Sequence, residues 1–400
     1  MSVSTRVEPQ FEPAGVRALD YPFTPEQLAV REHVRAFAAE RLAPIAEEMD
    51  QSEEYPTELA RIMGESGLWS YFFPEEYGGA GHSSTTLCLI RHELARVCPT
   101  ADELFAAQGL PINALVLHGS DALRARYAPH IIDGTKTFSI CLTEPAAGSD
   151  VGGIQTVAEQ EGDTFYLTGH KRFVFGPAAA TTFLVFAKTD PELGKRGISA
   201  FIVDLPAEGV SWTDYKLFKA GPETEVTFDR TPVPAENMVG RRGAGIAVAL
   251  GDLAHMRPTV GAAAVGMAEA ALAAAIEHVK IRQAFGGRLS DLETVRFRVA
   301  SAAAELDAAR LLVYAAAANA DGDALDVAMT AAKAKWFATE TAFRVIDTAV
   351  QLHGGSGLRR GSVPERMMKA VRATRIYEGA NEVMQLVIGR GLFGASSAPR

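Results

Sequence analysis

The chain has 400 residues, of which 48% are hydrophobic and 22% charged, with a net charge of −10 and a mean hydropathy of +0.03. This is the composition of a globular protein with two or three packed units, and the negative balance argues against non-specific nucleic-acid binding. No run of about 18 apolar residues reads as a membrane span, the first residues lack the apolar core of a signal peptide, and neither the three cysteines nor the nine histidines show metal-site spacing, so a cytoplasmic setting is expected.

Residues 1–21 read as a loose tail. From 22 to 137 the chain reads as helical. Thr24 is an N-cap, Pro25 opens the first turn and Gln27 completes a capping box. Val30, Val34 and Phe37 then recur on one face. Residues 75–81 read as a loop, and the apolar runs 87–90 and 115–117 as buried helix. From 138 to 239 short β-rich runs recur at 165–167, 173–175, 183–186, 198–203 and 226–228, with turn signals at Gly162-Asp163 and at 194–197. They predict an antiparallel barrel or sandwich. From 240 to 392 alanine-rich helices return, and 256–278 is close to unbroken helix former. Trp336, Phe343 and Val350 recur every seven residues as a bundle-like stripe. That helix should stop at Gly354-Gly355, and residues 393–400 form a second tail.

Several segments stand out for chemistry. Residues 375–383 read Arg-Ile-Tyr-Glu-Gly-Ala-Asn-Glu-Val, which places Glu378 between the ring of Tyr377 and Gly379. The ring partly desolvates the carboxylate, and the glycine lets a ligand approach the backbone. Far upstream, residues 140–150 read Ile-Cys-Leu-Thr-Glu-Pro-Ala-Ala-Gly-Ser-Asp. The remaining segments are 171–177 (Lys-Arg-Phe-Val-Phe-Gly-Pro), 282–286 (Arg-Gln-Ala-Phe-Gly) and 351–357 (Gln-Leu-His-Gly-Gly-Ser-Gly). Taken singly, each has a bland reading. They are a surface glutamate, a common turn, two phenylalanines on one strand face, an exposed arginine and a helix terminator. In this order and spacing, over residues 23–392, they resemble the FAD-dependent acyl-CoA dehydrogenases.

The resemblance implies a mostly α, α+β fold: an N-terminal helical domain (22–137), a middle antiparallel β domain (138–239) and a C-terminal four-helix bundle (240–392). It makes Glu378 the catalytic base. Some members carry the base one residue before an arginine on another helix; here that residue is Met256, before Arg257, and it cannot accept a proton. The stretch Ile140, Cys141, Leu142, Thr143 would border FAD, with Thr143 hydrogen-bonding the flavin ring. Gly148 and Ser149 follow, Ser149 near both FAD and the thioester. Phe173, Val174 and Phe175 would flank the isoalloxazine, but Phe175 stands where the family usually has a hydroxyl residue near N5. Arg282 would meet the FAD pyrophosphate across a subunit boundary, together with Ala284 (usually polar), Phe285 and Glu293 (often glutamine). Gln351, Leu352, Gly354 and Gly355 would approach the adenylate side of a neighbouring subunit's FAD, with His353 structural. Ala380, Asn381 and Glu382 would line FAD. Tyr377, Gly379, Arg257 and Arg390 would face the substrate, although the aspartate usual three residues before Arg257 is Ala254. The acyl pocket is expected along 87–97 and near Gln108-Gly109-Leu110.

The implied reaction is α,β-dehydrogenation of an acyl thioester, on CoA or on an acyl carrier protein, to the trans-2-enoyl thioester. Electron-transfer flavoprotein would be the acceptor and a homo-oligomer, a dimer of dimers, the assembly. Two other readings stay open at this point: an oxygen-using oxidase or monooxygenase on the same fold, and a non-catalytic flavoprotein subunit.

Overall fold

Helices form where caps and apolar periodicity coincide. The computed structural model describes residues 21–176, 180–322 and 326–394; the expected tails fall almost wholly outside them. Helix α1 (Pro25–Phe37) starts on the expected box: Thr24 Oγ1 accepts from the Gln27 amide and Gln27 Oε1 accepts from the Thr24 amide. Five more helices follow: α2 (Ala46–Met49), α3 (Thr57–Gly64), α4 (Ser84–Val97), α5 (Pro99–His118) and α6 (Asp121–Ile132). Helix α4 is buried over nearly its whole length, which its unpatterned apolar run demands.

The strands are β1 (Phe138–Cys141), β2 (Val157–Glu161), β3 (Thr164–Phe175), β4 (Thr182–Lys188), β5 (Ile198–Asp204), β6 (Val210–Lys216), β7 (Pro222–Pro234) and β8 (Met238–Val239). They pair in the order β6-β7-β3-β2-β4-β5-β8. The sheet is antiparallel except at β4, which takes β1 and one residue of β2 in parallel; the expectation of an all-antiparallel unit is corrected there. Alternation along β4 serves two cores. Leu184 and Phe186 pack with the N-terminal helices, while Phe183, Val185 and Ala187 fill the inside of the sheet.

The C-terminal half holds α7 (Gly245–Ile281), a small hairpin β9 (Gln283–Ala284) and β10 (Gly287–Arg288), then α8 (Glu293–Asp321), α9 (Val327–His353), α10 (Val363–Thr374) and α11 (Asn381–Phe393). Helix α9 does end at Gly354, whose φ is +59°. Helix α7 is long and apolar enough to cross a membrane, but 78% of its most apolar window is buried inside the protein.

The stripe Trp336, Phe343, Val350 is only half-buried. The core face of α9 is instead Ala334, Ala338, Ala342, Val345 and Ala349. Small residues win there because α7 packs too closely on its neighbours for large ones: a Cβ on Gly261 would sit 2.7 Å from Val313 of α8 and 3.3 Å from Ala338 of α9. The contact of α7 with α4 is tighter still, for a Cβ on Gly266 would lie 2.2 Å from the His92 carbonyl oxygen. Overpacking of about 1–3 kcal/mol should outweigh the helix-propensity gain of up to about 1 kcal/mol. Gly266→Ala is therefore expected to lower the thermal unfolding temperature, as read by circular dichroism.

Candidate active site

The connection between α10 and α11, residues 375–380, is short, and the helices around it hold it by side chains. Arg257 of α7 donates from Nε to the Glu378 carbonyl (3.1 Å). Lys335 of α9 donates from Nζ to the Gly379 carbonyl (2.8 Å) and to Asn381 Oδ1 (2.9 Å). Asn381 in turn donates from Nδ2 to Thr339 (3.0 Å) and to Glu340 (2.7 Å). So braced, Glu378 adopts a left-handed backbone, φ +53°, a conformation that costs a non-glycine residue about 1–2 kcal/mol. Gly379 follows at φ +96°, where a Cβ would strike Met384 at 2.7 Å. Only glycine fits there.

The bracing turns the Glu378 side chain inward, where it is 4% exposed. Oε1 lies 3.7 Å from Arg91 Nη1 of α4. Oε2 is buried and has no hydrogen-bond partner among the described residues. Burial pushes the carboxyl up to about 7, against the pull of Arg91, Lys335 and Arg257. Burial likewise lowers Lys335, opposed by Glu378. Asp252 of α7, held by Asn113 Nδ2 at 2.7 Å, is raised well above the carboxylate range by burial, with Glu378 adding to it.

A partly open cavity of about 410 Å³, mouth included, begins at Tyr377. Its charged walls are Asp50, Asp102, Glu103, Lys219, Arg366 and Lys369. This cavity lies at the first turns of α5, lined there by Pro99, Thr100, Asp102 and Glu103; residues 87–95 are buried, and a Cβ on Gly109 would sit 2.5 Å from Phe72.

The middle domain brings a second group of residues to the same region. Lys171 is fully buried and bonds Glu144 (2.7 Å) and the Leu142 carbonyl (3.2 Å). Glu144 also accepts from the Gln155 and Thr156 amides. This pair holds the segment after β1, where Thr143 is half-buried; Ile140 and Cys141, at the end of β1, point to opposite cores. Gly148 and Ser149 are exposed, with open space where a Gly148 Cβ would stand. A register shift between Lys171 and Val174 puts Phe173 at φ +56° and turns it out, 51% exposed, against Tyr215. The reading of Phe173 and Phe175 as one plain strand face is thereby overturned. Val174 is sealed in the β core, so that only its backbone is available to a ligand. Phe175 packs on Tyr55 and under Lys219 Nζ (5.3 Å), which also pairs with Glu223 and with Glu103, a residue of the cavity wall shared with Tyr377.

The remaining predicted residues lie elsewhere. Arg282, Phe285 and Glu293 are exposed and Ala284 half-buried, Phe285 being 94% exposed at φ +53°. His278 stacks on His353 (4.5 Å), which sets this hairpin beside Gln351, Leu352, Gly354 and Gly355. From Arg257 to Arg282 the chain rises roughly 37 Å at 1.5 Å per helical residue. Glu382 and Arg390 are exposed on α11, and Ala380 caps it. Arg91, Asp102, Asp252 and Lys335 escaped the sequence reading; an arginine and a lysine inside otherwise apolar helical faces were the only signal.

Three family models match this chain in succession: the acyl-CoA dehydrogenase N-terminal domain over residues 24–135, the middle domain over 139–231 and the C-terminal domain over 243–393. The chain belongs to the acyl-CoA dehydrogenase family. It is 37% identical over 379 residues to the short-chain specific acyl-CoA dehydrogenase of Clostridium acetobutylicum, covering 94% of this chain and 100% of that one. It is 35% identical over 373 residues to cyclohex-1-ene-1-carbonyl-CoA dehydrogenase of Syntrophus aciditrophicus, covering 92% and 90%. Among solved structures, butyryl-CoA dehydrogenase from Megasphaera elsdenii matches with a TM-score of 0.88 and 34% identity, over 94% of this chain and 100% of that one. The protein is therefore an oxidoreductase acting on CH–CH groups, and its cofactor is FAD.

The residues present fit that cofactor. Phe173 is held outward by the bulge, and the Gly148 cradle is open. The 142–156 segment that would border a flavin depends on one buried ion pair. Removing one partner of such a pair costs about 3–5 kcal/mol. Lys171→Met is expected to lose stability of that order in chemical unfolding.

Proposed function

We propose that the chain dehydrogenates an acyl-CoA thioester across its α,β bond to the trans-2-enoyl thioester, with Glu378 as base. The observation that carries this reading is the buried carboxylate whose Oε2 has no hydrogen-bond partner among the described residues. A base in water would be fully hydrated and weak, whereas this one is desolvated and titrates close to neutrality. Glu378 takes the α proton, and the bracing by Arg257 and Lys335 keeps its backbone from yielding as the proton moves. Bound FAD supplies the acceptor for the β hydrogen and its electron pair. Negative charge gathers on the thioester oxygen, where fixed N–H donors stabilise it.

Thr143, Ser149 and Phe173 are proposed to border the flavin, and Tyr377 and Gly379 the thioester. Arg390 is proposed for the CoA portion. Arg257 spends its Nε on the Glu378 carbonyl, so it is proposed to hold the base as well as to line the substrate side. Acyl carrier protein remains the alternative carrier, and electron-transfer flavoprotein is the proposed acceptor. Both rest on the family resemblance, as does the cytoplasmic setting.

A homo-oligomer is supported by the separation of Arg282 from Glu378 and by exposed Ile281, Phe285, Phe297, Leu392 and Phe393. Arg282 would then serve the FAD of another copy.

Glu378→Gln should keep bound FAD and lose at least about a thousandfold in turnover, measured by anaerobic flavin bleaching with butyryl-CoA; near-normal bleaching would refute the assignment. If Arg282 acts on the neighbouring subunit, Arg282→Ala should lower FAD retention. Subunits of Arg282→Ala and Glu378→Gln refolded together should then regain activity that neither has alone. Mixtures no better than the sum of the parts would count against a shared site.

A further inference from the structure

The cation nearest the Glu378 carboxylate is itself claimed by another acid. Arg91 is fully buried on α4. Its Nε and Nη2 donate to the two oxygens of Asp102 on α5, at 2.8 and 3.0 Å. Its Nη1 donates to Thr259 Oγ1 at 2.8 Å. The same Nη1 lies 3.7 Å from Glu378 Oε1, the one ion pair that the carboxylate makes among the described residues. The guanidinium thus gives Asp102 a bidentate fork and gives Glu378 charge without a hydrogen bond.

We propose, resting on the assignment of Glu378 as base, that Arg91 and Asp102 form a positioning pair that sets the basicity of Glu378. Two limits show why both members are needed. Without Arg91 the carboxyl would stand in a desolvated pocket with its nearest cation gone, and it would hold its proton at neutral pH. With Arg91 but without Asp102, the fork would turn to Glu378, pair with it bidentately and weaken it as a base. Asp102 draws the cation off, and the orphaned Oε2 stays available.

The other charged groups around the carboxylate are committed differently. On α7, Arg257 donates to the Glu378 carbonyl and Asp252 is held by Asn113. On α9, Lys335 donates to the Gly379 carbonyl. Tyr377, on the base's own segment, lines the cavity with Asp102. Burial raises Asp102 and Arg91 opposes that rise, which agrees with a pair formed in a dry site.

The test uses the FAD-loaded protein and two variants, Arg91→Gln and Asp102→Asn. The first readout needs no turnover: the carboxyl stretch of Glu378, found by infrared difference against Glu378→Gln, is titrated with pH. The second is the acid limb of anaerobic flavin bleaching by butyryl-CoA. Wild-type activity should rise with pH through about 7, as the base ionises. Arg91→Gln should move both readouts to higher pH and Asp102→Asn to lower pH, each by about one unit or more. A merely structural role would shift neither in opposite senses. Shifts of one sign, or none in folded protein, overturn the proposal. If Arg91→Gln does not fold, Asp102→Asn decides alone, and an unmoved titration overturns it. Should Glu378→Gln still bleach, the assignment of the base has failed instead of the pair.

Discussion

Glu378 is a carboxylate out of water, and a carboxylate cannot be buried without cations around it. The site proposed here is built around that tension. Burial alone would keep Glu378 protonated; a full ion pair would keep it ionised and inert. The structure holds it between these limits with three cations, Arg91, Arg257 and Lys335, of which two are spent on backbone carbonyls and the third is shared with Asp102. Each cation comes from a different helix. The position of one acid therefore depends on the mutual packing of α4, α7, α9 and the α10–α11 connection.

That packing explains the alanine-rich bundle. Helices that must bring charged side chains to one point have to approach closely, and Gly261 and Gly266 are where they touch. The middle domain contributes by similar means: the buried pair Lys171 and Glu144 fixes the segment after β1, and a bulge in β3 turns Phe173 outward. The length of α7 then separates two sets of candidate cofactor residues. Those near Glu378 belong to one end of the bundle, and Arg282 with the Gly354 turn belongs to the other.

Much of this was legible from residue order. The capping box at Thr24, the stop at Gly354 and the succession of helices, strands and helices are local properties, set by neighbours a few residues apart. The motif around Glu378 was legible because glycine and an aromatic ring flank the acid in the chain itself. Other features misled. The spacing of Trp336, Phe343 and Val350 marked a stripe that is only half-buried, because apolar periodicity does not tell a tight interface from a looser one. Asp252, which no motif marked, is held by Asn113 and feels the charge of Glu378.

The sequence by itself determined the fold class, the family and the acid on which the chemistry is proposed to turn, since each depends on short-range pattern or on motif order. Tertiary structure decided how strong that acid is. Arg91, Asp102, Arg257 and Lys335 lie between 43 and 287 residues from Glu378 in the chain. Their influence depends on separations of a few ångströms through a medium with little water, where electrostatic forces are steep. No pattern along the chain encodes such distances; they exist only once the helices have packed.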